Sequence, residues 1–323
     1  MGIRGIIAGK MDQTVIAQDN TAPAVSVLMA VYNGSRWLGE AIESVLGQTF
    51  TDFEFIIVND GSTDDSLNII QKYANQDSRI VLVSKENTGV ADSANCGLHL
   101  ANGKLVARMD ADDICKPYRL HKQVAFLKAH PEVALVSGAM EYIDENGAVF
   151  GRTYPITSQA AIRHRILQHS NVIVQPAVTM RRDTAIDCGG YCSGLTMGED
   201  AHLWLKMIRK GYLLAVLPEP VIAYRVRGMS LTSQKKSAMQ ERLTSEIFEY
   251  DTPPEQLLEA YRKEVEKNKG RFTTAESRKE QVAKTLHCKL WRVGKTLGIP
   301  EKVTERLGCS LQNTLATIRC RFS

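Results

Sequence analysis

From Val25 to Asp113 the chain alternates short apolar runs with segments of helical periodicity, and this alternation constrains the fold more than any other feature. Val25–Val31 is a strand-sized apolar run that stops at Asn33-Gly34-Ser35. Leu38, Ala41, Ile42, Val45 and Leu46 then recur at helical spacing, with Ser35 placed to cap that helix. Phe53–Val58 is a second run, followed by a helix marked by Leu67, Ile69, Ile70 and Tyr73. Ile80–Val83, a helix over Ala91–Ala101, and Lys104–Met109 continue the series. Strands that are apolar throughout are buried on both faces, so the pattern predicts an α/β fold with a mostly parallel central sheet and helices on both faces.

Further on the pattern loosens. A helix is expected from Pro117 to about Ala129 and another from about Asp200 to Lys210. Strands are expected at Val133–Tyr142, Val172–Met180, Leu213–Leu217 and Val221–Arg227. Three segments follow: a flexible leader over 1–23, in which Met11 competes with Met1 as the start, a catalytic α/β domain over 24–232, and a helical, basic extension over 233–323. Lys284–Ser323 holds eight Lys/Arg against two Glu, a local +6 that exceeds the net +4 of the whole chain. Two readings of that segment stand side by side: a basic amphipathic surface resting on anionic lipid, or a solvated helix packed by its apolar side.

Composition excludes several classes. Hydrophobic residues at 44% and charged residues at 24% are those of a globular protein, not a disordered one. A net charge of +4 is too mild to call for nucleic acid as a partner. Seven scattered cysteines with no C-x-x-C read as reduced thiols, hence a cytoplasmic setting. Cys188 and Cys192 have the spacing of two zinc ligands, with no second pair to close a four-ligand site. No G-x-G-x-x-G follows the first run, which argues against a dinucleotide-dependent dehydrogenase. Gly9-Lys10 lacks the remainder of a phosphate-binding P-loop.

In open α/β sheets ligands bind at the carboxyl ends of the strands. Acidic residues cluster there: Asp60 after the second run, and Asp110-Ala111-Asp112-Asp113 after the fourth. Alternate residues of an extended segment point to one side, so Asp110 and Asp112 can converge into a partial cage of hard oxygens suited to Mg²⁺ or Mn²⁺. Asp60 is placed to accept hydrogen bonds from ribose hydroxyls or a uracil N–H, with a helix cap as the plainer use, one that Ser62 or Thr63 could take instead. Glu199-Asp200 opens an apolar helix, where acidic residues often only complement the helix dipole.

In order, Ser26 to Asn33, Phe55 to Asp65, Asn87-Thr88-Gly89 with Ala94-Asn95-Cys96-Gly97, Met109 to Asp113, Pro117-Tyr118-Arg119-Leu120 with Gln123, Gly189-Gly190-Tyr191 and Gly198-Glu199-Asp200 resemble the family 2 glycosyltransferases. The resemblance covers about Ala24 to Thr232. It implies the GT-A fold and inverting transfer of a sugar from a nucleotide diphosphate sugar, with UDP the favoured nucleotide, to an acceptor hydroxyl. The acceptor would be a glycan or a lipid-linked carrier in polysaccharide or lipopolysaccharide synthesis, at the inner face of a bacterial plasma membrane. It further implies roles: Asp200 as general base with Glu199 beside it, Asp110 and Asp112 toward the metal, and Ala30, Tyr32, Asp60, Lys85, Asn87, Asp110 and Ala111 toward the nucleotide. Two departures stand out. Tyr224-Arg225-Val226-Arg227 has Arg227 where many members have His, so Arg227 is expected to pair with the diphosphate rather than ligate a cation. Gln175-Pro176 stands where many have His-Pro. A sugar nucleotidyltransferase would need a glycine-rich basic loop after the first strand, and a non-catalytic carbohydrate-binding or scaffold protein would show damaged acidic motifs. This chain has neither feature.

Overall fold

The computed structural model describes residues 5–7, 22–168, 170–193, 195 and 198–227. The basic extension expected over 233–323 lies outside these residues, as does most of the segment expected as a leader.

Within that N-terminal segment Gly5–Ile7 forms a strand, β1. The next strands and helices follow the apolar pattern: β2 (Val25–Val31), α1 (Ser35–Leu46), β3 (Phe53–Asp60), α2 (Ser66–Gln76), β4 (Ile80–Lys85), α3 (Val90–Leu100) and β5 (Leu105–Asp110). The four main strands are parallel in the order β4-β3-β2-β5, and β1 joins parallel to β4 at the edge. Consecutive residues of β2 face opposite layers. Leu28 packs with Ala94 and Leu98 of α3, whereas Val27 and Met29 pack with Leu38 and Ile42 of α1. A strand buried on both faces explains why the run is apolar throughout.

Beyond β5 the sheet becomes mixed. The chain continues through β6 (Ile114–Cys115), α4 (Arg119–Ala129), β7 (Val133–Ile143), β8 (Val149–Arg152) and α5 (Gln159–Leu167). The last elements among the described residues are β9 (Thr179–Arg181), α6 (Arg182–Asp187), α7 (Glu199–Arg209) and β10 (Leu213–Arg225). The spatial order past β5 is β9-β7-β10-β6, with β8 paired antiparallel to β7. Two expectations change here. The strand expected over Val172–Met180 is a 3-10 turn at Gln175–Ala177 followed by β9, because Pro176 has no N–H to give a ladder. The two strands expected around Pro218 and Pro220 are one strand, whose register against β7 shifts at Leu217, Pro220 and Ile222. The helix starts also differ. Ser35 is the first residue of α1, not its cap; its N–H donates to Asp64 Oδ2 (3.0 Å), and the Ser66 N–H opening α2 donates to Asp64 Oδ1 (3.0 Å). One carboxylate thus serves two helix N-termini.

Candidate active site

The carboxyl ends of β2, β3 and β5 share one rim. Ala30 is in register with Val58 on one side and Asp110 on the other, which puts Asp60 two strands across from Asp110 and two residues further along, roughly 12 Å between Cα atoms. The loops past β2 and β3 are tied together: Asn33 donates its N–H to Ser62 Oγ (3.1 Å) and accepts from the Thr63 N–H (2.8 Å). Tyr32, beside this tie, is 55% exposed.

Asp60 is almost wholly buried, and its carboxylate turns toward the loop after β4. Oδ1 accepts from Lys85 Nζ and from the Thr88 N–H (3.0 Å), and Oδ2 from the Gly89 N–H (3.0 Å). Burial pushes the carboxyl up, but these donors, Lys85 first, hold it below the usual range. Lys85 also donates to Thr88 Oγ1 (2.6 Å). Asp60 and Lys85, both read as nucleotide ligands, therefore bind each other and shape the segment that carries Asn87. A side chain at Gly61 would meet the Asn87 backbone nitrogen at 2.7 Å, and Gly61 sits at φ +68, so glycine is needed where the two loops touch.

A second group of charges gathers at β5 and the start of α7. Asp110 keeps 36% of its side chain accessible and lies 3.6 Å from Nη2 of Arg108, a fully buried guanidinium. The Asp110 carboxyl is held up at about 6, the balance of desolvation that raises it, Arg108 that pulls it down, and the charges of Asp112 and Asp200 that push it up. Glu199 is pushed up to about 7 by burial and by the Asp200 charge. Asp200 is also raised by burial, against hydrogen bonds that include Asn171 Nδ2 to Oδ2 (3.1 Å). These carboxylates lie near enough for their charges to act on one another, and Arg108 is the cation felt by Asp110, Glu199 and Asp200 alike.

Asp112 lies beside them. Its Oδ2 is 2.6 Å from Nη2 of Arg227, and its carbonyl accepts from Arg225 Nε (2.9 Å). Arg225, 1% exposed, also donates to the carbonyls of Asp144 and Glu145 and to Glu40, while its own N–H donates to the buried Asp113. Two carboxylates one residue apart suit a hard cation that shares its shell with substrate phosphates. Among the described residues no group of three or more His, Cys, Asp or Glu is arranged to hold a metal ion by itself. The cluster of raised carboxylates fits a cation that would offset their repulsion.

The structure thus gathers Asp110, Asp112, Glu199, Asp200 and Arg227, and sets Asp60, Lys85 and Asn87 two strands away. Sequence reading missed Arg108, Asn171 and Arg225. Arg108 had a signal, since it is a lone cation inside the apolar run Leu105-Val106-Ala107 of a parallel strand.

Residues 26–189 match the family described as glycosyl transferase family 2. The chain belongs to that family. It is 31% identical over 214 residues to the amylovoran biosynthesis glycosyltransferase AmsE of Erwinia amylovora, covering 65% of this chain and 79% of AmsE. Among solved structures it resembles residues 1–349 of Staphylococcus aureus TarS in complex with UDP-GlcNAc, with a TM-score of 0.58 and 22% identity over 72% of this chain and 68% of TarS 1–349. It also resembles the mannosyltransferase PcManGT of Pyrobaculum calidifontis, in complex with GDP-Man and Mn²⁺, with a TM-score of 0.51 and 18% identity over 95% and 79% of the two chains. At these identities the structural likeness concerns the fold, which is GT-A. The family gives the activity, that of a glycosyltransferase of family 2. No helix among the described residues is long and apolar enough to cross a membrane.

Proposed function

We propose that this glycosyltransferase moves a sugar, with inversion, from a UDP-linked donor to an acceptor hydroxyl on a glycan or lipid-linked carrier during bacterial cell-surface polysaccharide or lipopolysaccharide synthesis. The observation that carries the reading is that Asp110 and Asp112 at the carboxyl end of β5 and Glu199 and Asp200 at the start of α7 are close enough for their charges to act on one another. The similarity to AmsE, a glycosyltransferase of amylovoran biosynthesis, and to TarS in complex with UDP-GlcNAc supports the product and donor classes.

The acceptor oxygen attacks the anomeric carbon opposite the diphosphate, and the bond from that carbon to the diphosphate oxygen breaks. The hydroxyl proton passes to Asp200, whose carboxyl burial raises above the ordinary carboxylate range, making it a stronger base than a free carboxylate. Asn171 fixes the orientation of Asp200 through Oδ2. Glu199, held up at about 7, keeps a proton part of the time and can hydrogen-bond the acceptor. Asp110 and Asp112 would hold a Mg²⁺ or Mn²⁺ ion, which when bound neutralises charge on the departing diphosphate; the Mn²⁺ in the PcManGT complex supports this. Asp60, Lys85 and Asn87 line the base and ribose side, with main-chain groups of Ala30 and Ala111 and the Tyr32 ring nearby. Arg227 serves the diphosphate. The basic segment after residue 284 is proposed as a peripheral contact with the inner face of the membrane, in keeping with a cytoplasmic enzyme.

The test compares Asp112→Ala with Asp200→Asn. Both should abolish transfer from UDP-sugars. In titrations with UDP and Mn²⁺, Asp112→Ala should lose nucleotide affinity and Asp200→Asn should largely keep it. Equal losses would contradict the division of roles.

A further inference from the structure

Asp112 already has a cation. Nη2 of Arg227 lies 2.6 Å from its Oδ2, with Arg227 33% and Asp112 19% exposed at the side chain. Arg227 is backed by a rigid support. Its guanidinium carbon stands 5.5 Å from the centre of the Trp37 ring, and Trp37 donates Nε1–H to the Glu145 carbonyl at 3.1 Å. Arg225, also 5.5 Å from that ring, holds the carbonyls of Asp112, Asp144 and Glu145. The ring, the turn and the end of β10 together direct Arg227 at Asp112.

A guanidinium and a divalent ion seek the same lone pairs on a carboxylate oxygen, so they exclude each other there. Asp110 and Asp112 supply only two ligands toward a shell of six or more oxygens, so a divalent ion without phosphate would compete poorly against Arg227. The ion pair also leaves Nε of Arg227 buried with no hydrogen-bond partner among the described residues. That donor calls for an acceptor which the described residues do not supply in this pose. Diphosphate oxygens would satisfy it, because a guanidinium takes phosphate in a two-pronged grip.

We propose that Arg227 is an exchangeable counter-ion of Asp112: it competes with the divalent cation for that carboxylate and moves to the diphosphate when cation and nucleotide enter together. This makes the protein selective for the metal–nucleotide complex over the free ion. It rests on the reading that Asp112 holds the cation, and Trp37 becomes a positioning residue for Arg227.

The experiment measures Mn²⁺ binding to the full-length protein without nucleotide, by the electron paramagnetic resonance signal of the free ion, and UDP binding at saturating Mn²⁺ by calorimetry. Arg227→Gln should bind Mn²⁺ about fivefold more tightly than the wild type, as expected for freeing a carboxylate from a partly exposed pair, and should bind UDP about tenfold more weakly. Arg227→Lys, which keeps a cation beside Asp112, should stay within about twofold of the wild type for Mn²⁺. Asp112→Asn should lose Mn²⁺ binding. If Arg227→Gln gains no Mn²⁺ affinity while Asp112→Asn loses it, the exchange is overturned and the cation reading stands. If Asp112→Asn binds Mn²⁺ as the wild type does, both fall. An equal gain in the Lys and Gln variants would also overturn the exchange, because charge would not be its cause.

Discussion

Replacing Asp60 by Asn tests whether this carboxylate first of all builds the nucleotide side of the cleft. Three donors converge on it: Lys85 Nζ and the Thr88 N–H on one oxygen, the Gly89 N–H on the other. An amide offers one acceptor oxygen and one NH₂. If the oxygen stays with Lys85 and Thr88, the NH₂ faces the Gly89 N–H; if it flips, the NH₂ opposes two donors. The better orientation still leaves one buried N–H unpaired, at about 1–3 kcal/mol, and removes the ionic component of the Lys85 contact, about 1 kcal/mol more. We expect a loss of about 2–4 kcal/mol at pH 7, read as a drop of roughly 1 M in the urea midpoint for a slope near 3 kcal/mol/M. The pH dependence has a definite sign. The folded carboxyl lies below its ordinary value of 3.8, so its contribution is complete above that value and disappears as pH falls through the lowered one. The gap between wild type and Asp60→Asn should therefore narrow on acidification below about 4. A variant within about 0.5 kcal/mol of the wild type at pH 7, or a gap that persists unchanged into strong acid, would refute the anchoring argument.

Gly97→Ala sets two effects against each other. Alanine gains about 1 kcal/mol of helix propensity in α3, but its Cβ would lie 1.9 Å from Leu28 Cδ1 in a fully buried contact, and overpacking of about 1–3 kcal/mol should win. Chemical denaturation should show a net loss, and the Gly97→Ala/Leu28→Ala pair should recover at least about 1 kcal/mol of coupling; strict additivity would refute the clash. Asp64→Ala should cost about 1 kcal/mol, since one exposed carboxylate caps α1 and α2 and solvent screening damps its charge. Burial raises the Asp64 carboxyl, but Ser66 and Ser35 hold it at about 2, so thermal melts of the wild type should lose this contribution between pH 4 and 2 while the variant does not. Arg225→Met should destabilise by about 3 kcal/mol, because it removes a buried guanidinium that is a donor to the carbonyls of Asp112, Asp144 and Glu145 and the partner of Glu40, and urea unfolding would measure it.

What could be read from sequence divides along a physical line. β2 to β5 and α1 to α4 were legible because each strand is buried on both faces and each helix has one apolar stripe, so local composition carries the answer. Past β5 the spatial order β9-β7-β10-β6 departs from chain order, and no local pattern encodes it. Pro218 and Pro220 read as a break, yet β10 runs through them by shifting register against β7. The site divides in the same way. Asp110 and Asp112 were visible because two-residue spacing at a strand end is a local fact. The partners of Asp60 lie 25 to 29 residues away, and Arg227 meets Asp112 across 115 positions through the pairing of β10 with β6 and β7. Arg108 is the instructive case. A guanidinium in an apolar parallel strand opposes every local preference of that strand, and such a conflict persists only where something buried needs the charge. The carboxylates of Asp110, Glu199 and Asp200 supply that need, so an isolated cation in a buried run, two residues ahead of an acidic pair, already pointed to a cleft of opposite charge above it.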